Sequence, residues 1–375
     1  MSSPPKIHRS DWIWLAIILV FGVFARFRVA ALGPNYDFDS YRIVADIMAQ
    51  GNNVYASTAR YNYGPVWFNL IHLFDLLAGR DPVTFRWLLI SLLTAADIGI
   101  CLVLFRKFGR MAAILFFLNP VSILITGYHN QFDNLAMLMG LCAVLLFGDD
   151  FDRPLGRRKY AGLLVLGLSL MTKHLFFMFP LWLAVKQRGL FQKGIVLTLP
   201  ILIFLAGFLP YWNGSQGGII RNVFEYKSSH GAFISFYDLL LPGFLKSLAS
   251  PTGWWLIILG LFALICRGKN GLESLLVYTA VLVATSPAIA DQYLAIPAAF
   301  VSVELNLFSI AYALSATLQV VAFTPGPALL SGRFNYDDIA LIFLVLTLVW
   351  VLWRAAILQI LQNCRQKIRA FKGIP

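Results

Sequence analysis

The sequence predicts an all-α integral membrane protein with about twelve transmembrane helices, ten at the fewest and fourteen at the most. Three observations carry this. Of 375 residues, 59% are hydrophobic and only 13% charged, where soluble domains average about 45–50% and about 25%. Apolar runs of 13–20 residues recur with polar segments between them, more apolar surface than a water-soluble core can hide. The cations gather in clusters between those runs, as the positive-inside rule requires. A soluble enzyme, a disordered regulator and a secreted disulfide scaffold are excluded together. The net charge of +12 forms no basic face or motif, so nucleic acid is not an expected partner. Cys101, Cys142, Cys266 and Cys364 lie in or beside apolar runs without metal-like spacing and read as small buried apolar residues.

The elements follow in order. The first apolar run, from Trp12 to Phe24 after Lys6 and Arg9, continues past Arg26 and Arg28 to Leu32. Lys6, Arg9 and the small pair Ala30-Ala31 also suit a signal peptide. The full stretch 12–32 is nevertheless long enough to span if the two arginines snorkel to the far interface, which favours an uncleaved helix. Residues 64–78 are apolar but short, and carry Asn69, His72 and Asp75. Next come 84–105, with Asp97 in its middle, then 111–127 and 133–148 around a polar turn. The pair 160–172 and 174–186 flanks Lys173-His174, and each is short for a full crossing of roughly 20 residues, as a broken or buried pair would be. The remaining candidates are 194–210, 253–266, 273–287, 291–305, 306–323 and 337–355.

Parity decides what 64–78 does. If that stretch spans, the Arg106/Lys107/Arg110 cluster and every later basic cluster fall on the far side from the N-terminus. If it lies in the interface or re-enters, they all share the N-terminal side. The second choice gives a single polytopic domain over residues 1–375 with both termini cytoplasmic. Its first outer loop is 33–83, its second large outer loop 211–252, and its basic cytoplasmic tail 354–375, which reads as an amphipathic helix on anionic lipid. A chain that concentrates its polar sequence on one face is expected to work there.

The first outer loop is the most informative segment. Asp37 and Asp39 sit just beyond the first helix, followed by an amphipathic run from Tyr41 to Gln50. Gly51 stops it, and Tyr55, Tyr61 and Tyr63 lead to Gly64-Pro65. Two carboxylates two residues apart suit an ordinary solvated loop entrance. They also suit a general base that takes the proton of an attacking hydroxyl, or oxygen ligands for a divalent metal such as Mg or Mn, although a lone pair is a weak metal signal.

These residues resemble the first lumenal loop of GT-C fold glycosyltransferases, which use polyprenyl-phosphate sugar donors. The pattern is nearest the catalytic subunit group of GPI mannosyltransferase I and the dolichyl-phosphate-sugar glycosyltransferases. Asp37-Phe38-Asp39-Ser40-Tyr41, Gly51 with Val54-Tyr55, and Ala59-Arg60-Tyr61-Asn62-Tyr63-Gly64-Pro65 carry the likeness. Ser40 before the Tyr and Gly64 before the Pro depart from it. The resemblance implies an interfacial helix after the Pro, in agreement with the parity argument. It favours Asp37 over Asp39 as the base, because the family's base tends to be the first acid after the first helix, with an aromatic four residues on, here Tyr41.

Other outer groups join this picture. Gly127–Asn134 packs His129, Asn130, Gln131 and Asp133 between two apolar helices, either as a solvated turn or as a sugar and phosphate site. It is similar to the His-Phe-Gln-Tyr-Asn loop of dolichyl-phosphate-glucose-dependent glucosyltransferases. Lys173-His174 is either a snorkelling break or, through the resemblance, a cation for the lipid phosphate. Asp291 reads as a helix N-cap or, with Gln292 and Tyr293, as a likeness of a family Ser-Gln-Tyr segment. Arg221, Glu225, Lys227, His230 and Tyr237 make the second loop a lid on the acceptor side, and Arg221 and Arg333 are further phosphate-stabilising candidates. Asp97, as an intramembrane carboxylate, is a functional candidate by default, but its distance from the outer face favours a structural hydrogen-bonding role.

The resemblance implies an inverting hexosyltransferase, mannosyltransferase-like. It would move a sugar, mannose by the family likeness, from a polyprenyl or dolichyl phosphate to a glycolipid or lipid-linked acceptor. The site would lie on the periplasmic or ER-lumenal face, among membrane lipids, with room for an accessory membrane subunit. A lipid-linked glycan polymerase or ligase, relying on His230 and Arg221, and a lipid or sugar transporter are the alternatives.

Overall fold

The computed structural model describes residues 7–226, 242–322, 324 and 336–371, and the chain is all-helical there. Lys227, His230, Tyr237 and Arg333 lie outside the described residues. Helix α1 runs Arg9–Ala30, α2 Tyr36–Ala49, α3 Pro65–Leu77 and α4 Pro82–Phe108. Helices α5 (Arg110–Phe117) and α6 (Pro120–Leu124) continue into a wide turn over Ile125–His129, and α7 follows at Asp133–Phe147. Then come α8 (Arg157–Thr172), the short α9 (Phe179–Ala184), α10 (Leu190–Ala206), α11 (Pro251–Ile265) and α12 (Gly271–Ala284). Helices α13 (Ala298–Val303), α14 (Leu307–Ala322) and α15 (Tyr336–Phe371) complete the described chain.

Helix positions follow the apolar runs, but their lengths divide them into two groups. Among the described residues, five helices are long and apolar enough to cross a membrane. The number is six if the pair Arg110–Phe117 and Pro120–His129, bent by 46°, counts as one. Asp133–Phe147, Gly271–Ala284 and Leu307–Ala322 are apolar but shorter. The run expected over 174–186 is broken, with one tight turn at His174–Phe176 before α9, and Pro180 in the first turn of α9 prevents a continuous helix. Helix α3 has 13 residues, roughly 20 Å of length against a hydrocarbon core of about 30 Å, so it cannot cross as a straight helix.

Contacts sort the polar residues into two ends. At one, Arg110 reaches Asp11 at 3.3 Å, and Asp149 accepts the backbone N–H of Gly271. There too, Lys186 donates to the carbonyls of Cys266, Arg267 and Lys269, and Phe108, Lys269, Glu304 and Arg354 line one cavity. The basic clusters around 106–110, 157–159 and 186–188 belong to this end. At the other, residues 35–63 fold over α3 and the turn after residue 129 on a second, aromatic-rich core. Phe38, Tyr41, Tyr55, Tyr61, Trp67 and Phe132 are all buried in it.

The first helix corrects one expectation. Arg26 does not snorkel: it is fully buried, with Nε donating to Asp97 Oδ2 at 2.8 Å, Nη1 to the Phe117 carbonyl and Nη2 to Ser122. Gly127 permits this depth, since a Cβ there would lie 2.5 Å from the Arg26 carbonyl oxygen. Arg28 remains exposed. Asp97 also accepts from Thr126 Oγ1 at 2.7 Å and Asn134 Nδ2 at 2.9 Å, the hydrogen-bonding role that its mid-helix position suggests.

Candidate active site

Helix α2 starts earlier than the amphipathic run suggested, because Asn35 caps it by accepting the Phe38 N–H at 3.1 Å. Asp37 and Asp39 therefore lie inside its first turn, where the helix N-terminus favours carboxylates. Their side chains leave the axis about 200° apart. Asp37 is half-buried and turned towards the protein; Asp39 is exposed. The expected Asp37/Asp39 metal pair does not fit this geometry, for the two carboxylates do not converge on one ion. Among the described residues no three His, Cys, Asp or Glu side chains come together as a metal group either.

Asp37 accepts from Asn35 Nδ2 at 3.3 Å. Burial raises its carboxyl above the ordinary range, opposed in turn by the Gln131 amide, the Lys173 ammonium, Asn35 and the Arg60 guanidinium. A carboxylate so placed is a stronger base than one in water, and the nearby cations favour its ionised form. Burial, with the charges of Asp37 and Asp133 nearby, also pushes the Tyr41 and Tyr63 hydroxyls well above their usual range, so both are neutral.

Lys173 closes the other side. Helix α8 ends there with the residue in an extended conformation. The ammonium reaches Asp133 Oδ2 at 2.7 Å and Gln131 Oε1 at 3.5 Å. It sits over the Phe132, Tyr63 and Tyr293 rings at 5.0, 5.2 and 5.7 Å from their centroids. Cation–π contacts and a carboxylate at this depth hold a charge that would otherwise be expensive to bury. Several polar atoms in this region are buried without a hydrogen-bond partner, Asp133 Oδ1, His174 Nδ1 and the Tyr41 hydroxyl among them. Beside Lys173 lies a cavity of about 100 Å³ lined by Tyr63, His174, Tyr226, Trp255 and Tyr293 among others.

The structure thus gathers Asp37, Tyr41, Tyr63, Gln131, Asp133, Lys173 and Tyr293 from five separate stretches of chain, with His174 on the cavity wall. Other expected residues stand apart. Tyr61 is tied down structurally, donating to the Gly64 carbonyl at 2.6 Å and accepting the Phe68 N–H. Asn130 takes a left-handed conformation (φ 55°), donates to the Thr126 and Gly127 carbonyls and accepts from Arg86 Nε, which makes it a turn residue. His129 rests edge-on against Tyr128, its Nε2 buried and unpartnered. Arg221 is exposed, with no contact to Lys173 or Asp37, and Gln292 is half-buried on the turn Asp291–Ala295. Asp291 is not the N-cap expected of it: the cap position is Ala290, and Asp291 accepts from Gln319 Nε2 at 3.0 Å.

Sequence reasoning passed over three contributors. Phe132 stacks on Trp67 at 4.0 Å and carries the Lys173 charge, Asn35 caps α2 and holds Asp37, and Arg60 lies over the Tyr36 ring at 3.9 Å. An Asn just ahead of the acidic pair Asp37 and Asp39, the composition of a helix start, was the available signal for Asn35; nothing in the sequence marked Phe132 among 31 phenylalanines. Gly64, the insertion before Pro65, is also explained, because a Cβ there would stand 2.0 Å from the Met171 carbonyl oxygen.

No protein-family model matches the chain, and no curated protein matches it. Among solved structures, ArnT from Cupriavidus metallidurans, crystallised with bound undecaprenyl phosphate, is similar at a TM-score of 0.50 and 16% identity. The match covers 90% of this chain and 76% of that one. At that identity the likeness is one of fold, and the chain is an all-helical protein with an ArnT-like fold.

Proposed function

We propose that the chain is a membrane glycosyltransferase that takes a hexose from a polyprenyl-phosphate donor, with Asp37 as the base. The observation that carries this reading is a half-buried carboxylate, its proton affinity raised by burial, lying within the field of a buried ammonium that borders a cavity. That is the equipment for deprotonating an acceptor hydroxyl next to a departing phosphate. The fold shared with ArnT, a protein that binds undecaprenyl phosphate, supports a polyprenyl-phosphate donor here.

In this mechanism the acceptor hydroxyl gives its proton to Asp37 as its oxygen bonds to the anomeric carbon. The bond from that carbon to the phosphate oxygen breaks, and the electron pair leaves with the lipid phosphate. Lys173 faces the charge that grows on that oxygen, while Tyr63 and Tyr293 exclude water around it. One base suffices for an inverting displacement; by analogy with glycosidases, retention calls for a second carboxylate acting as nucleophile. The acceptor is a glycolipid or lipid-linked sugar. The sugar is mannose, on the likeness of the first outer loop to the GPI mannosyltransferase group. The shorter helices complete about twelve spans, and the site faces away from the cytoplasm. Asp97, saturated by Arg26, Thr126 and Asn134, argues against a transporter, which needs an ionisable group free to bind cargo. Arg221, apart from the cluster, argues against a ligase built on it.

The test is sugar transfer from polyprenyl-phosphate-mannose by purified protein in nanodiscs, beside Asp37→Asn. Turnover lost in the variant with donor binding kept supports both the class and the base. Equal turnover removes the base, and no turnover across a panel of sugar donors removes the class.

A further inference from the structure

At the end of the molecule away from Asp37, a cavity of about 230 Å³ opens between α12, α13, α15 and the end of α4. Four charged side chains face it from three places: Lys269 and Glu273 at the start of α12, Glu304 after α13, and Arg354 on α15. Phe108, Val277, Phe300 and Val351 supply apolar wall. Two cations and two carboxylates in one cleft ordinarily neutralise one another. Here they do so only in part. Arg354 and Glu304 approach to 3.7 Å, while the Lys269 ammonium and the Glu273 carboxylate, both half-buried, form no ion pair among the described residues.

The backbones that carry these two groups are nevertheless fixed. The Lys269 carbonyl accepts from Lys186 Nζ at 2.7 Å, and that same ammonium holds the Cys266 and Arg267 carbonyls. The Glu273 N–H donates to Asn270 Oδ1 at 2.8 Å, the cap of α12. The other buried lysines are committed: Lys159 to the carbonyls of Asp150 and Arg153, Lys173 to Asp133. A cation and a carboxylate that form no ion pair with each other, carried on a pinned backbone against an apolar wall, make a receptor for a ligand with the opposite arrangement.

We propose that this cavity binds a zwitterion made of a primary ammonium and a phosphate on a short spacer, the chemistry of a phosphatidylethanolamine headgroup or of free phosphoethanolamine. The phosphate meets Lys269 and Arg354; the ammonium donates to Glu273 and Glu304. The apolar wall suits the start of an acyl chain. A choline head, which has no N–H, cannot make the carboxylate hydrogen bonds, and a glycerol head has no cation to offer them. The site is independent of the chemistry at Asp37.

The experiment measures unfolding temperature and lipid retention by native mass spectrometry for wild type, Lys269→Gln and Glu273→Gln. Each is reconstituted in phosphatidylcholine discs, alone or with phosphatidylethanolamine or phosphatidylglycerol. A ligand bound only by the folded protein raises the unfolding temperature. Phosphatidylethanolamine is expected to raise it by several degrees in wild type, with no rise from phosphatidylglycerol. Both variants are expected to lose that rise and at least about tenfold of the retained lipid, equivalent to roughly 1.4 kcal/mol. Free phosphoethanolamine added to phosphatidylcholine discs separates the sources: a rise assigns the site to a soluble zwitterion, no rise to the bilayer lipid. Equal responses to the two added lipids, or responses that neither variant diminishes, overturn the proposal. Should the variants fail to fold, equal retention of all three lipids by wild type overturns it alone.

Discussion

Lys173 Nζ lies 2.7 Å from Asp133 Oδ2, and each side chain is only 4% exposed. The pair joins the broken end of α8 to the start of α7, and three aromatic rings surround its cation. Removing one partner of such a pair leaves a buried charge uncompensated, a cost of about 3–5 kcal/mol. Lys173→Met should therefore lower the unfolding temperature markedly and abolish transfer. Asp133→Asn keeps a hydrogen-bond acceptor for Lys173 and should destabilise less while still reducing the rate. Thermal unfolding and turnover of the two variants in nanodiscs check this; equal stability loss would contradict the asymmetry.

Asp37 and Asp39 should behave very differently despite their spacing. Asp37→Asn removes the proposed base and is expected to cost about 10²–10⁴ in turnover. Asp39→Asn, at an exposed position, should stay within a few-fold of wild type. Parallel rates of the two variants decide it, and a larger loss from Asp39→Asn would reassign the base.

The raised Asp37 carboxyl gives the pH dependence a sign. As the proposed base, Asp37 would act only when ionised, so turnover should fall as pH drops through a midpoint above the ordinary aspartate value of about 3.9. The folded-state carboxyl binds its proton more tightly than the unfolded one, so ionising Asp37 costs stability as pH rises through the folded value. Arg60→Gln withdraws a neighbouring cation that holds the carboxyl down and should move the midpoint further up. A pH–rate profile of wild type and variant that shifts downward would count against the arrangement.

Gly64→Ala should destabilise the segment ahead of α3, because its Cβ would stand 2.0 Å from the Met171 carbonyl oxygen and the three nearest atoms are all Met171 backbone. The unfolding temperature should drop, with transfer lost alongside, as Tyr63 and Pro65 are pushed off α8. An unchanged unfolding temperature would show that the two segments part easily.

Much of the framework was legible in the sequence, for reasons specific to its residues. Apolar runs marked nearly every helix, because lipid demands them over consecutive positions. Lys173 was conspicuous because a lysine interrupts such a run at real cost. The first outer segment announced itself through Asp37, the tyrosines and Gly64-Pro65. What escaped was geometry across the chain. Arg26 looked like a residue that climbs to the interface, since nothing local reveals Asp97 waiting 71 positions away. Asn130 has the chemistry of a sugar ligand, yet its left-handed backbone commits it to a turn. Phe132 acquires its role only when Lys173 and Trp67 arrive on its two faces.

The Arg26–Asp97 pair also bears on how the chain is made. Arg26 enters the bilayer with the first helix, but its counter-charge is synthesised 71 residues later. An arginine costs about 2.5–3.5 kcal/mol at the centre of a spanning helix on insertion scales and less towards its end, where Arg26 lies. The first helix is therefore expected to gain its full hold on the bilayer only when the Pro82–Phe108 helix emerges beside it. On that account the making of this protein depends on a partner within its own chain.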